Sequence, residues 1–185
     1  ILKYKVVAHT IPAVESELIV LSPGKHTIIP LNTPQGDLEV KMSSKDNYPF
    51  IIRKANIDET LNVQETNSKQ RYLTGKYDIE VLTLPRFLIE DVEIKQSKTT
   101  TFTLPSTGTV SIILPSKGFG GVYLIKNNKL ELIYNLDENK QRLTLYLLPG
   151  NYKVIFRSKS AKQYMYTTEK DFKVRSGKSE LIKLY

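Results

Sequence analysis

The sequence predicts an all-β protein made of tandem antiparallel β-sandwich modules. Three observations carry this expectation. The segments "KYDIEVLTL", "EDVEIKQ", "TVSIIL", "VYLIK", "LELIY" and "DFKVR" alternate apolar and polar residues or form short apolar runs rich in Val, Ile and Tyr, as half-buried strands do. No window repeats apolar residues at helical spacing with caps at its ends, and Gly, Pro, Asn and Ser clusters interrupt the chain at short intervals. The chain also repeats itself: "YKVVAHTIP" from Tyr4, "YDIEVLTLP" from Tyr77 and "YKVIFRSKS" from Tyr152 align, 73 and then 75 residues apart.

The repeat extends beyond these tyrosines. "GKHTIIPL" (24–31), "SKTTTFTL" (97–104) and "GKSELIKL" (177–184) follow them by 20, 20 and 25 residues, which places a five-residue insertion in the last copy around "KSAKQYM". "KQRYLTGKY" matches "KQRLTLYLLPGNY", and "QGDLEV" matches "TGTVSI". Because "SELIKLY" is the counterpart of "HTIIPL" and "TTTFTL", that strand closes a module. The modules are then 34–104 and 105–185, each opening on a strand after Gly36 or Gly108. Residues 1–33 supply the closing strands of an upstream repeat, or a linking segment. Seven or so short strands per module suit a sandwich of two antiparallel sheets, immunoglobulin-like in architecture.

The turn before each repeated tyrosine, "LTGKYDIEV" and "LPGNYKV", has a physical reading. Gly75 and Gly150 are expected to supply a positive φ in a tight turn. Tyr77 and Tyr152, two residues on, then enter the next strand with the ring inward and the hydroxyl aimed at a backbone group, the logic of the tyrosine corner.

Composition sets bounds. The 185 residues carry no cysteine, which excludes disulfides, thiolate metal sites and cysteine nucleophiles together. No apolar run approaches the length needed to span a bilayer, and "ILKYKVVAHT" lacks the zones of a signal peptide. The net charge of +8 is spread over 27 Lys and Arg with no block of five, which reads as a solvated basic surface.

Each apparent motif has a structural reading. "SGKSE" (176–180) has Phe172 where a phosphate-binding loop needs glycine, and a strand follows where a helix is required. His9 and His26 have no partners at metal spacing. Glu90 and Asp91 are expected on opposite faces of a strand, and Asp137 and Glu138 in a turn beside Asn139, so no carboxylate pair faces a cleft. "KGFGGVY" (117–123) reads as a glycine-rich loop with Phe119 at its tip. In "KSAKQYMYTTEK" (159–170), Tyr164 and Tyr166 lie among lysines without a continuous basic groove, so a nucleic-acid partner is not expected and ranks below a protein or glycan contact.

The "LPGNYKV" turn, the closing "VEIKQSKTTTFTLP" and "FKVRSGKSELIKLY" strands and the opening "QGDLEV" and "TGTVSI" strands resemble the prealbumin-like modules related to the carboxypeptidase regulatory domain. "GKHTIIPLNTPQGDLEV" and the stretch from "LNVQ" to "YLTGKYDIEVLTLPR" further resemble the C-terminal region of bacterial surface or envelope proteins that begin with a von Willebrand factor type A domain. The resemblance implies a non-catalytic structural or interaction region of a larger extracytoplasmic protein, periplasmic or on the cell surface. Such a region spaces or docks a separate recognition domain of the type A kind. The Asp-x-Ser-x-Ser metal motif of such domains is absent from this chain, and neither cofactor nor metal is expected. The competing reading is a carbohydrate- or polyanion-binding module using Phe119, Tyr164 and Tyr166. Residues 1–33 carry Val6, Val7, Ile11, Leu18, Val20, Ile28 and Ile29, and are expected to pair with an edge strand of the following module or with a second copy of the chain.

Overall fold

A computed structural model describes residues 3–44, 46–160 and 167–185, and what it describes is all-β, with eighteen strands and no helix. The N-terminal segment contributes four two-residue strands: β1 (Lys3–Tyr4), β2 (Val7–Ala8), β3 (Val14–Glu15) and β4 (Ile19–Val20). Seven strands follow: β5 (Gln35–Met42), β6 (Pro49–Lys54), β7 (Thr60–Glu65), β8 (Lys69–Leu73), β9 (Gly75–Val81), β10 (Phe87–Ile94) and β11 (Thr99–Leu104). The last seven are β12 (Gly108–Ile113), β13 (Gly118–Lys126), β14 (Lys129–Asn135), β15 (Arg142–Leu147), β16 (Gly150–Ser158), β17 (Thr167–Val174) and β18 (Ser179–Lys183). Each set of seven forms a four-stranded and a three-stranded sheet. The orders β10-β9-β6-β7 and β11-β5-β8 in the first set recur position for position as β17-β16-β13-β14 and β18-β12-β15 in the second.

The correspondence extends to irregularities. The β6–β7 ladder slips between Ile52 and Arg53, and the β13–β14 ladder slips between Val122 and Tyr123. Ile52 faces Ile79 and Val122 faces Val154, each two residues after a repeated tyrosine, so the two bulges occupy the same place. A bulge puts two residues against one and sharpens the local twist. The turn that enters the last strand also recurs: Gly24, Ser97 and Gly177 all have positive φ (71°, 56° and 64°). In each, the next residue's amide donates to the carbonyl three back, Lys25 to Ser22, Lys98 to Lys95 and Lys178 to Arg175, all at 3.2 Å. "SGKSE" is accordingly a turn into β18.

The chain divides into two compact units. Unit 1 holds 1–41, 47–81 and 88–103; unit 2 holds 42–46, 82–87 and 104–185. Each sheet of β5–β18 draws its strands from β5–β11 or from β12–β18, while Met42–Asp46 and the β9–β10 connection Leu82–Phe87 belong to unit 2. Strand alternation builds each core. In β5, Gly36, Leu38, Val40 and Met42 are buried, alternating with more exposed neighbours; Gly36, Leu38 and Val40 join Phe50, Ile52, Tyr72, Tyr77, Ile79 and Val81 in the core of unit 1, whereas Met42 belongs to unit 2. In unit 2, both sheets supply one cluster: Val110, Ile112, Leu147 and Ile182 from one, Val122, Tyr152, Val154, Phe156 and Val174 from the other. Burying each such side chain stabilises by about 1.5–3 kcal/mol.

The N-terminal segment, expected to pair with an edge strand of the following module or with a second copy of the chain, adds no strand to the sheets of β5–β11. β1 pairs with β4 and β2 with β3, and none of the four shares a sheet with β5–β11. Within it, Ser16 N donates to Val6 O at 2.8 Å and Val6 N donates to Ser16 Oγ at 3.0 Å. Its register matches the later copies: Tyr4 stands opposite Ile19 as Tyr152 stands opposite Phe172, and Ile19 and Phe172 each lie five residues before the glycine of the repeated turn.

Candidate functional site

The repeated tyrosines are buried, Tyr77 at 2% and Tyr152 at 0% exposure. Each hydroxyl donates to the carbonyl four residues back, Tyr77 to Leu73 at 2.8 Å and Tyr152 to Leu148 at 2.6 Å. Burial raises the Tyr77 hydroxyl above its ordinary pKa and pushes that of Tyr152 up to about 12, because ionisation would strand a charge in an apolar core.

Of the preceding glycines, Gly75 has the expected positive φ, at 154°, whereas Gly150 does not lie in the positive region. Room is tight at Gly150 alone: a Cβ there would lie 3.2 Å from the Tyr152 ring, whereas one at Gly75 would lie 3.7 Å from the Tyr77 ring, an ordinary contact distance. Each glycine begins a strand whose tyrosine folds back over it.

A buried polar group in unit 1 was not signalled by the repeat. Tyr72 is fully buried and donates to Gln64 Oε1 at 2.9 Å while accepting from Asn62 Nδ2 at 2.8 Å. Gln64 passes a further bond to Ser68 O at 2.9 Å. Burial, partly offset by the Asn62 bond, pushes the Tyr72 hydroxyl up to about 12. Leu147 stands at the corresponding place in the second copy, so only the alternation of "KQRYL" marks Tyr72 as inward.

Phe119 is not at a loop tip; it lies within β13, opposite Arg157 of β16. The glycines around it serve close packing of strands. A Cβ on Gly120 would run into the carbonyl of Ile155, and one on Gly118 into the carbonyl of Arg157. Phe119 therefore sits on an outward face, 55% exposed, with the Lys159 ammonium 5.6 Å from the ring centre, a cation–π arrangement. On the same face Lys153 bonds Glu169 at 3.0 Å and lies 3.4 Å from Asp171, so its ammonium is held above the usual range, chiefly by Glu169. Tyr164 and Tyr166, the other two aromatics of that reading, lie outside the described residues.

The remaining candidates resolve locally. His9 and His26 are exposed and lie outside strands. Asp91 takes a φ of 55° and its amide donates to Asp78 Oδ1 at 2.9 Å, so the alternation expected to separate Glu90 from Asp91 breaks at that residue. Asp137 accepts from the Asn139 amide at 3.0 Å and pairs with Lys140 at 3.2 Å. Those bonds, the first above all, hold its carboxyl below the usual range. Among the described residues, no three His, Cys, Asp or Glu side chains gather as a metal site, and no helix is long and apolar enough to cross a membrane.

A second repeated feature lies beside the tyrosine turns. In unit 1, Thr10 Oγ1 donates to Pro12 O at 2.7 Å, and Ile11 O accepts from Leu73 N at 2.8 Å. In unit 2, Thr83 Oγ1 donates to Pro85 O at 2.8 Å, and Leu84 O accepts from Leu148 N at 2.8 Å. Thr10 and Thr83 are each six residues after a repeated tyrosine, and the Ile11–Pro12 and Leu84–Pro85 bonds are both cis. Next to each proline is a depression, of about 400 Å³ walled by Glu59, Thr60 and Leu61, and of about 270 Å³ walled by Glu131, Leu132 and Ile133. The bulge registers make these two triplets equivalent.

No known protein family matches the chain, and no curated protein matches it. Among solved structures it is similar to the Bacillus anthracis TIE protein, at 16% identity and a TM-score of 0.32 over 92% of this chain. The chain spans 37% of the length of that structure.

Proposed function

We propose that the chain is a non-catalytic structural and interaction region of a larger extracytoplasmic protein. It spaces or docks a separate recognition domain of the von Willebrand type A kind. In this reading β5–β11 and β12–β18 are tandem two-sheet sandwiches of the prealbumin-like kind, and residues 1–33 are the closing part of a further copy. The observation that carries it is the equivalent use of Tyr77 and Tyr152: the polar groups that recur are bonded to their own backbone, which makes the recurring design one of architecture. The matched sheet orders support the same reading. For residues 1–33, support comes from the Tyr4–Ile19 register and from exposure. Tyr4 and Val6 are 44% and 38% exposed where Tyr152 and Val154 are at 0%, as core positions lacking half their sandwich would be.

Phe119 and Lys159 favour one other reading, a carbohydrate- or polyanion-binding face on the second module. Glycan-array and heparin-column screening of the chain beside Phe119→Ala decides between the two. The architectural reading expects the same weak, salt-sensitive retention for both proteins; specific retention lost in Phe119→Ala would replace it with the binding reading.

A further inference from the structure

We propose that the surface beside the Leu73 and Leu148 amides is a seat for a Thr–apolar–Pro loop supplied by the preceding copy, and that this loop in its seat is how successive copies are joined. The seat is built twice from equivalent residues and filled twice by the same kind of tripeptide. Its chemistry explains the choice of residues. Leu148 is only 6% exposed, and a buried amide without an acceptor is costly; the strand ladder ends at Leu147 and leaves it unpaired there. The Leu84 carbonyl supplies the acceptor. The threonine hydroxyl holds the proline carbonyl two residues on and so closes the loop, leaving the middle residue's carbonyl free to point at the seat.

The tyrosine turn and the seat share one residue in each copy. The Leu148 peptide accepts from Tyr152 on its carbonyl and gives its amide to Leu84; Leu73 does the same between Tyr77 and Ile11. A seated loop and a seated tyrosine therefore fix the same short turn from two sides. The clasp has a direction. The second copy has Ser158, Lys159 and Ser160 where the loop residues would stand, β16 runs on through Ser158, and the Ser158 hydroxyl accepts from Ser116 Oγ at 2.7 Å and lies 2.9 Å from Ser160 Oγ. That copy receives a loop and presents none of this kind. The seat in unit 1 rests on reading residues 1–33 as part of a further copy; the seat in unit 2 does not.

Amide hydrogen exchange on the full chain tests this, with Thr10→Val, Thr83→Val and Thr83→Ser, and with T83S/L84K/P85S, which writes Ser158–Ser160 into the loop. In Thr83→Val and in the triple variant the Leu148 amide should exchange at least about tenfold faster, with Leu73 and the β12 amides unchanged. Thr83→Ser should keep parental protection, because the hydroxyl remains. Thr10→Val should release Leu73 alone. Unchanged Leu148 protection in the triple variant, or loss spread evenly over β12–β18, would overturn the proposal. Release of Leu148 in its variants with Leu73 unmoved in Thr10→Val would keep the clasp and overturn the reading of residues 1–33.

Discussion

The hydroxyl of Tyr152 donates to the carbonyl of Leu148 at 2.6 Å. The bond spans the "LPGN" turn and ties the start of β16 to the end of β15, joining the two sheets of unit 2 at one corner. Tyr77 and Leu73 make the same bond in unit 1. The first prediction follows. Phe in place of either tyrosine keeps the ring and removes the donor, and should lower the unfolding free energy by about 0.5–1.5 kcal/mol, measured by urea denaturation. Ala should cost about 3–5 kcal/mol, because a cavity opens as well. A Phe variant as stable as the parent would remove the bond from the architecture.

Alkaline pH should unfold the protein through the same groups. Tyr72 and Tyr152 titrate near 12 in the folded chain, against an ordinary value of 10.0. Because the folded values are raised, their contribution is complete below about pH 10, where both states hold the proton. It is lost as pH climbs towards 12, where the unfolded chain ionises first. Denaturation curves at stepped pH should show stability falling across that window, with a shallower fall in Tyr152→Phe.

Glycine in β13 is a steric requirement. Gly120→Ala drives a methyl into the backbone carbonyl of Ile155, which no side-chain rotation relieves, and should cost about 1–3 kcal/mol in thermal or urea unfolding. At Gly121 the first atom met is the end of the Leu132 side chain. Gly121→Ala should therefore cost less than Gly120→Ala. The reverse order would show that β13 and β16 are further apart than described.

Removal of divalent cations should leave the melting temperature unchanged. An ion bound only by the folded state raises stability by mass action, so a shift of several degrees on adding EDTA, reversed by calcium or zinc, would reveal a bound cation and overturn this expectation.

The sequence displayed the repeat, its tyrosines and the strand-entry turns because these are local: each depends on residues within one turn and on period-two alternation. Other features were hidden. Gly75 and Gly150 look alike in sequence, yet the first has a positive φ and the second is the one crowded by its tyrosine ring. "KGFGGVY" has the composition of a loop, but its glycines face the carbonyls of a strand more than thirty residues away, an approach that composition does not encode. "HTIPA" and "LTLPR" align as repeats without naming the amide that their carbonyls meet.

By itself, then, the sequence determined the all-β class, the alternation that selects each core face, and the turns that recur along the chain, since hydrophobic period and turn chemistry act over a few residues. Only the tertiary structure decided which strands share a sheet, that Tyr72 is satisfied by Gln64 and Asn62, that Phe119 lies on an outward strand face beside Lys159, and that Leu73 and Leu148 find their acceptors in distant loops. These pairings join residues far apart in the chain. They are selected by the cost of leaving a buried donor or acceptor alone, a cost that exists only once the chain has closed around the group.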